Sequence, residues 1–269
     1  VAAQALVLAL GSAVLHAAWN LLLGRARDVQ AAAALTFLLS VLVALPFALV
    51  WWHADPSVWP YALASSVLEA VYVFALAYAY RVADLSLVYP LTRGVAPVLA
   101  LVAAVAFLGH HPSAAEVAGV LVVSAGVLLV QGGGVRADTR ALLVSASCAT
   151  AIAAYTLVDR VGIHRAGALT YFVLVLALPS VAYLPVVKFD AMRREFGIAT
   201  VAAAAANLGS FLLGLLALRR GAAAPVLAVR SSSIVIATLL AGRLLSEHVS
   251  RARLAGAALV FVGVALLAS

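Results

Sequence analysis

Apolar residues run along this chain in blocks of about twenty, separated by short polar breaks, as in helices that cross a ~30 Å hydrocarbon layer at 1.5 Å per residue. Ten such blocks are readable, over residues 4–23, 30–52, 58–80, 85–108, 114–131, 138–160, 167–187, 198–218, 222–245 and 251–268. The longest polar connector, KFDAMRREFG at 188–197, has ten residues and leaves no room for a soluble domain. The pattern predicts an all-α integral membrane protein with ten transmembrane helices.

Composition sharpens that picture. Of 269 residues, 66% are hydrophobic and 10% charged, more apolar surface than a soluble core of this length can hide. The net charge of +7 comes from basic residues in the short connectors, where lipid orientation accounts for them, so no nucleic-acid partner is expected. A single cysteine, Cys148, cannot close an internal disulfide and reads as a small packing residue. The first block lacks a basic leader and carries His16, Trp19 and Asn20, which suits a retained span better than a cleaved signal.

The chain also repeats itself. An offset of 137 residues pairs Arg93 with Arg230, His111 with His248, Ser113 with Ser250, Gly119 with Gly256, Val123 with Val260 and Gly126 with Gly263 without a gap. An offset of 136 pairs Trp19 with Tyr155. The Gly132-Gly133-Gly134 run lies between the fifth and sixth blocks and reads as a joint. The expected organisation is a first five-helix repeat at 1–131, a linker at 132–137 and a second five-helix repeat at 138–269. Five is odd, so the second copy enters the membrane from the opposite face. Two inverted repeats are the architecture of secondary transporters, with the substrate site between them.

The pieces LHAAWNLL at 15–22, VYPLTRGVAPVLA at 88–100, GHHPSAAEVAGVLVVSAGVLL at 109–129 and SEHVSRARLAGAALVFVGVALL at 246–267 resemble the EamA-type families of the drug/metabolite transporter superfamily. The resemblance spans nearly the whole chain and implies a membrane transporter. Such families often carry Gly-Glu after the fourth and ninth helices. Here Ser246-Glu247 stands in the second position and Gly109-His110 in the first.

Depth singles out the polar residues. Face A denotes the side that bears both ends of the chain, and face B the other. His16 and Glu69 fall about 17–18 Å from face A and Arg93 about 12 Å from face B, one common level. Ionisable groups there must line a cavity or pair with each other. Glu69 and Arg93 are expected to pair near His16, whereas Arg230 has Ala206 and Ile152 where the repeat would place an acid and a histidine; Asp159 is the nearest alternative. An arginine left without an acid suits a carboxylate or phosphate from solution. Pro90 and Pro97 free backbone carbonyls around Arg93, Gly94 permits close approach, and Pro225 stands before Arg230; these four are the expected hinge.

The expected substrate-binding residues are Arg93, Arg230, Trp19, Asn20, Tyr72, Tyr89, Tyr155, Asn207, Phe211 and Ser231, with Glu69 and His16 carrying protons as coupling groups. Trp51, Trp52 and Trp59 read as an interfacial belt. Adjacent His110 and His111 have no spaced third ligand and read as a solvated turn, so no metal and no cofactor are expected. No ATP-binding motif occurs. The reading is a secondary transporter, not an enzyme, exporting a small polar metabolite such as an amino acid or other carboxylate by alternating access. A cation or multidrug exporter built on Glu69, an intramembrane hydrolase using Ser12 or Ser210, and a membrane scaffold are the alternatives. Eleven connector cations lie on face B and four on face A, which places B in the cytoplasm and the termini outside. The economy of loops suits a bacterial inner membrane and a monomer or homodimer.

Overall fold

The computed structural model describes residues 2–82, 85–130, 139–244 and 251–269. Among them the regular elements are helical: α1 (Ala3–Leu23), α2 (Val29–Val50), α3 (Trp59–Val82), α4 (Leu85–Leu108), α5 (Ala114–Val130), α6 (Thr139–Gly162), α7 (Ala168–Ala182), α8 (Phe189–Glu195), α9 (Ile198–Arg220), α10 (Ala223–Ser231), α11 (Ser233–Leu244) and α12 (Arg251–Ala268). Eight helical stretches among the described residues are long and apolar enough to cross a membrane; they fall on α1, α2, α3, α4, α6, α7, α9 and α12. The chain is an all-helical integral membrane protein. The 132–137 linker and the Ser246-Glu247 turn lie outside the described residues.

Helices answer the predicted blocks because a chain in lipid must satisfy every backbone polar group within itself. Two places depart from the expectation. The connector 188–197 folds its centre into α8, which buries Ala191 and Met192 and leaves Phe189 exposed. Glu195 at its end accepts a bond from the backbone N–H of Asp28 at 3.0 Å. The block 222–245 is divided at Ser232 into α10 and α11. The Ser231 hydroxyl donates to the Leu227 carbonyl at 3.0 Å, and the Ser232 N–H bonds back three residues to Val229 at 3.1 Å, so the serine run tightens and interrupts the turn. Pro225 lies in the first turn of α10, where a missing N–H costs no helical bond.

Interhelical packing sets the frame of the site. α1 lies along α9, α3 along α6, and α5 along α12. The α5–α12 seam is built on four glycines: a Cβ at Gly126 would lie 2.8 Å from the Gly256 carbonyl oxygen, and one at Gly119 3.0 Å from that of Gly263. Only glycine allows backbones that close. Between α4 and α5, Gly109 adopts φ 62° and turns the chain. His110 then pairs with Glu116 in the first turn of α5, Nε2 to Oε1 2.7 Å. Trp51, Trp52 and Trp59 stay exposed near face A.

Candidate functional site

A cavity enters the bundle from face B and stops near mid-depth. Leu23 at the end of α1, Val29 and Gln30 at the start of α2, Ala77 of α3 and Tyr183 after α7 line its outer part. His16, Glu69, Arg93, Tyr155, Asn207, Ser210 and Arg230 line its inner part. The empty space, mouth included, is about 1040 Å³.

The two arginines reach the inner part from α4 and α10. An Arg93 Nη2 lies 2.9 Å from His16 Nε2 and the Trp19 indole nitrogen 3.1 Å from His16 Nδ1, and the imidazole can accept from one of the two. Guanidinium and indole are donors without acceptors, so both ring nitrogens face donors and the imidazole's own N–H lacks an acceptor in this arrangement. Pro97 cannot donate to the carbonyl of Arg93 four residues earlier. The Ser231 hydroxyl reaches that carbonyl instead, at 3.0 Å, in a bifurcated bond shared with the Leu227 carbonyl. The proline therefore opens a backbone acceptor on α4, and α10 closes it.

Arg230 is held from its other side. Its Nε donates to Ser12 Oγ at 2.9 Å, and Gly214 of α9 leaves space for the guanidinium, since a Cβ there would lie 2.9 Å from Cζ. Ser12 and Ser210 clasp α1 to α9 reciprocally: Ser12 Oγ donates to the Ser210 carbonyl at 2.7 Å and Ser210 Oγ to the Ser12 carbonyl at 2.9 Å. Neither hydroxyl is bonded to His16; each is engaged between α1 and α9. Among the described residues no carboxylate lies within salt-bridge distance of Arg230. Asp159 instead accepts from Ser65 Oγ at 2.5 Å and Tyr171 Oη at 3.0 Å. The expected Glu69–Arg93 salt bridge is absent as well; Glu69, 4% exposed, turns to the cavity from α3.

Aromatic rings form the walls. Trp19 meets Phe37 at 6.0 Å, Tyr72 meets Tyr155 at 6.1 Å and Phe211 meets Phe172 at 5.4 Å between centroids. The Asn20 amide donates to the His16 carbonyl at 2.7 Å, and that of Asn207 to Ser40 Oγ of α2 at 3.1 Å. Ten of the expected site residues thus share one cavity: Arg93, Arg230, Trp19, Asn20, Tyr72, Tyr155, Asn207, Phe211, Glu69 and His16. Ser231 is fully buried beneath it, bonded to backbone. Gly94 packs against Leu128 of α5. The side chains of Tyr89 and Pro90 lie outside the described residues. Among the described residues no group of three metal-ligating side chains gathers.

Residues 3–131 match the model of the EamA-like transporter family. That match, over just under half of the chain, supports an EamA-type transporter of the drug/metabolite transporter superfamily. The family is one of membrane transporters, whose partners are the bilayer and a small-molecule substrate. A crystal structure of another protein superposes with TM-score 0.75 at 20% identity, over 97% of this chain and 95% of that one, a likeness of fold. No curated protein matches the sequence.

Several residues in and around the cavity escape sequence reading. Phe37, Leu176 and Tyr183 are ordinary apolar or interfacial residues by depth. Ser12 and Gly214 carry a readable signal: Ser12 lies one turn before His16 on α1, and Gly214 one turn after Ser210 on α9, each on a face already marked by a polar residue.

Proposed function

We propose that this EamA-type chain is a secondary transporter that exports a small carboxylate-bearing metabolite, such as an amino acid, by alternating access. The carrying observation is Arg230: a part-buried guanidinium on the cavity wall, fixed through Nε by Ser12 and without a carboxylate partner among the described residues. With Nε engaged, the terminal nitrogens offer a two-point fork to an incoming carboxylate. The donor pair on His16 favours the same guest, because an acceptor there relieves a site crowded with donors. Aromatic walls accept an apolar remainder, and Glu69 with His16 serve as coupling groups.

Ten spans in two inverted five-helix repeats, 1–131 and 138–269, give the framework of the proposal. The α5–α12 seam supports it. Gly119 corresponds to Gly256 and Gly126 to Gly263 by the 137-residue offset, and the contacts are reciprocal, Gly119 with Gly263 and Gly126 with Gly256. A two-fold axis produces that exchange of partners. The family match, which ends at residue 131, also supports it. Face B carries the excess of cations and the mouth of the cavity. With B cytoplasmic in a bacterial inner membrane, the site receives substrate from inside.

A second reading has its own observation. Glu69 presents a carboxylate to the cavity with no salt bridge among the described residues, which suits the ammonium of an amino acid or a cationic substrate without a carboxylate. Thermal unfolding of the purified protein separates the two. A ligand that binds the folded state raises the midpoint in a saturable manner. Carboxylates and amino acids are expected to stabilise wild type and not Arg230→Ala. Stabilisation by organic cations alone, or equally in both proteins, would sink the anion reading and leave Glu69 as the centre.

A further inference from the structure

The cavity does not reach face A, and the contacts that close it there join the first half of the chain to the second. Ser65 of α3 donates to Asp159 Oδ1 of α6 at 2.5 Å. Nearer the surface the α2–α3 connector pairs with the α6–α7 connector backbone to backbone: the Asp55 N–H donates to the Arg165 carbonyl at 2.7 Å and the Gly167 N–H to the His53 carbonyl at 2.8 Å, about an isolated antiparallel bridge between Ala54 and Ala166. The Arg165 guanidinium lies over the Tyr61 ring, 4.3 Å from its centroid.

The His53 N–H also lies 3.4 Å from Thr170 Oγ1, and at the rim Arg220 Nε donates to Gln4 Oε1 at 3.0 Å, both across the halves; two further sets of contacts at this end stay within the second half. Tyr171 of α7 donates to the same Asp159 oxygen that Ser65 uses, and Gly162 keeps clear the space its hydroxyl needs. Arg219 of α9 donates to the carbonyls of Ile163 and Ala166 at 2.6 and 2.5 Å, stiffening the connector that carries the bridge. Asp159 is therefore positioned by its own half and gripped by the other through one hydroxyl. Separation of α3 and its connector from α6 and α7 at face A breaks the Ser65 bond, two backbone bonds and the weak His53–Thr170 contact, and leaves the Tyr171 and Arg219 bonds intact. The repeat offsets carry Ser65 and Asp159 to Ala202 and Leu23 on the face B side, where no polar bond is available and Leu23 lines the open cavity.

We propose that the Ser65–Asp159 bond, together with the 53–55/165–167 backbone bridge, is the face A gate of the transport cycle. The proposal rests on the alternating-access reading above. Asp159 acts as a gate residue at a distance from the substrate, positioned by Tyr171, and not as the counter-ion of Arg230.

The bridge offers its own test. A Cβ at Gly167 would lie 3.7 Å from the Cβ of His53, within the roughly 3.5–4.5 Å span of a disulfide. In a Cys148→Ala background, His53→Cys with Gly167→Cys locks the gate under oxidation. Leu176→Cys, a cavity-lining position outside the proposed binding residues, reports access to a membrane-impermeant maleimide in right-side-out and inside-out vesicles. Reduced protein should label from both faces. Oxidation should lower labelling from face A about tenfold or more, as a covalent lock on one state of a two-state equilibrium requires, leave face B labelling unchanged, and be reversed by reductant. Without the cysteine pair, Ser65→Ala should raise face A labelling severalfold. Face A labelling that persists at full strength through the crosslink, or that Ser65→Ala leaves unmoved, places the gate elsewhere and overturns the proposal while alternating access stands. No face A labelling in any form, with face B labelling retained, overturns alternating access itself.

Discussion

Arg93 and Arg230 stand 137 residues apart and open on the same cavity, yet their surroundings differ in kind. Arg93 leans on a histidine of α1, and the carbonyl of its own residue, freed by Pro97, is held by a serine from the other half. Arg230 has a hydroxyl beside its Nε, a missing side chain at Gly214 and, among the described residues, no acid in salt-bridge reach. Where one half keeps Glu69 and His16, the corresponding positions of the other are Ala206 and Ile152. Matching positions thus fill different offices: Arg93 belongs to an organised polar cluster, whereas Arg230 is left as a cation in want of a partner. An asymmetric guest is what such a pair accommodates.

The contrast can be broken most strongly at Arg230. Arg230→Ala removes a charge-assisted contact of about 1.5–3 kcal/mol, so anion affinity read from thermal shifts should fall by about 10–100-fold. Arg93→Ala should lower it less, because that guanidinium is already engaged with His16; an equal loss would show that the two arginines act as one clamp. Arg230→Lys keeps the charge and loses the fork, and about a tenfold loss is expected. Gly214→Ala leaves Arg230 in the chain but pushes its guanidinium aside, and a displacement worth about 1 kcal/mol should weaken anion binding about fivefold with the unfolding midpoint of the empty protein nearly unchanged. The smallest effect concerns the backbone. Ser231→Ala strands the Arg93 carbonyl and should cost about 1 kcal/mol of stability. Pro97→Ala returns an N–H to that carbonyl, so in a double-mutant cycle it should erase most of the Ser231→Ala loss. Additive losses would mean that the hydroxyl does not stand in for the missing donor.

Hydropathy was enough to place eight helices of membrane-spanning length, because in lipid the backbone has no alternative to bonding within its own segment. Depth along those helices was enough to bring His16, Glu69 and Arg93 to one level, and the 137-residue offset matched Arg230 to Arg93. Partnership was not legible. The pairing of Arg93 with His16 in place of Glu69 depends on how α1 rotates against α4, which no spacing within either helix specifies. Asp159 looked like a candidate counter-ion for Arg230 at its depth, but Ser65 and Tyr171, two neutral residues with no depth signal, take its oxygen. The break at Ser232 was hidden because three serines amid aliphatic residues barely lower the local hydropathy. α8 was hidden because a seven-residue charged helix has too few turns to show a period.

The glycine seam also has a timetable. α12 begins 137 residues after α5, so at a synthesis rate of about 5–20 residues per second its partner strip on α5 waits roughly 7–27 s in the bilayer before the covering helix is made. For that interval Gly119 and Gly126 present bare backbone to lipid, and the bundle cannot close around its cavity. Assembly of the bundle is thus held open until α12 is made, and a nascent chain arrested before it would carry an unmet contact surface along its fifth helix.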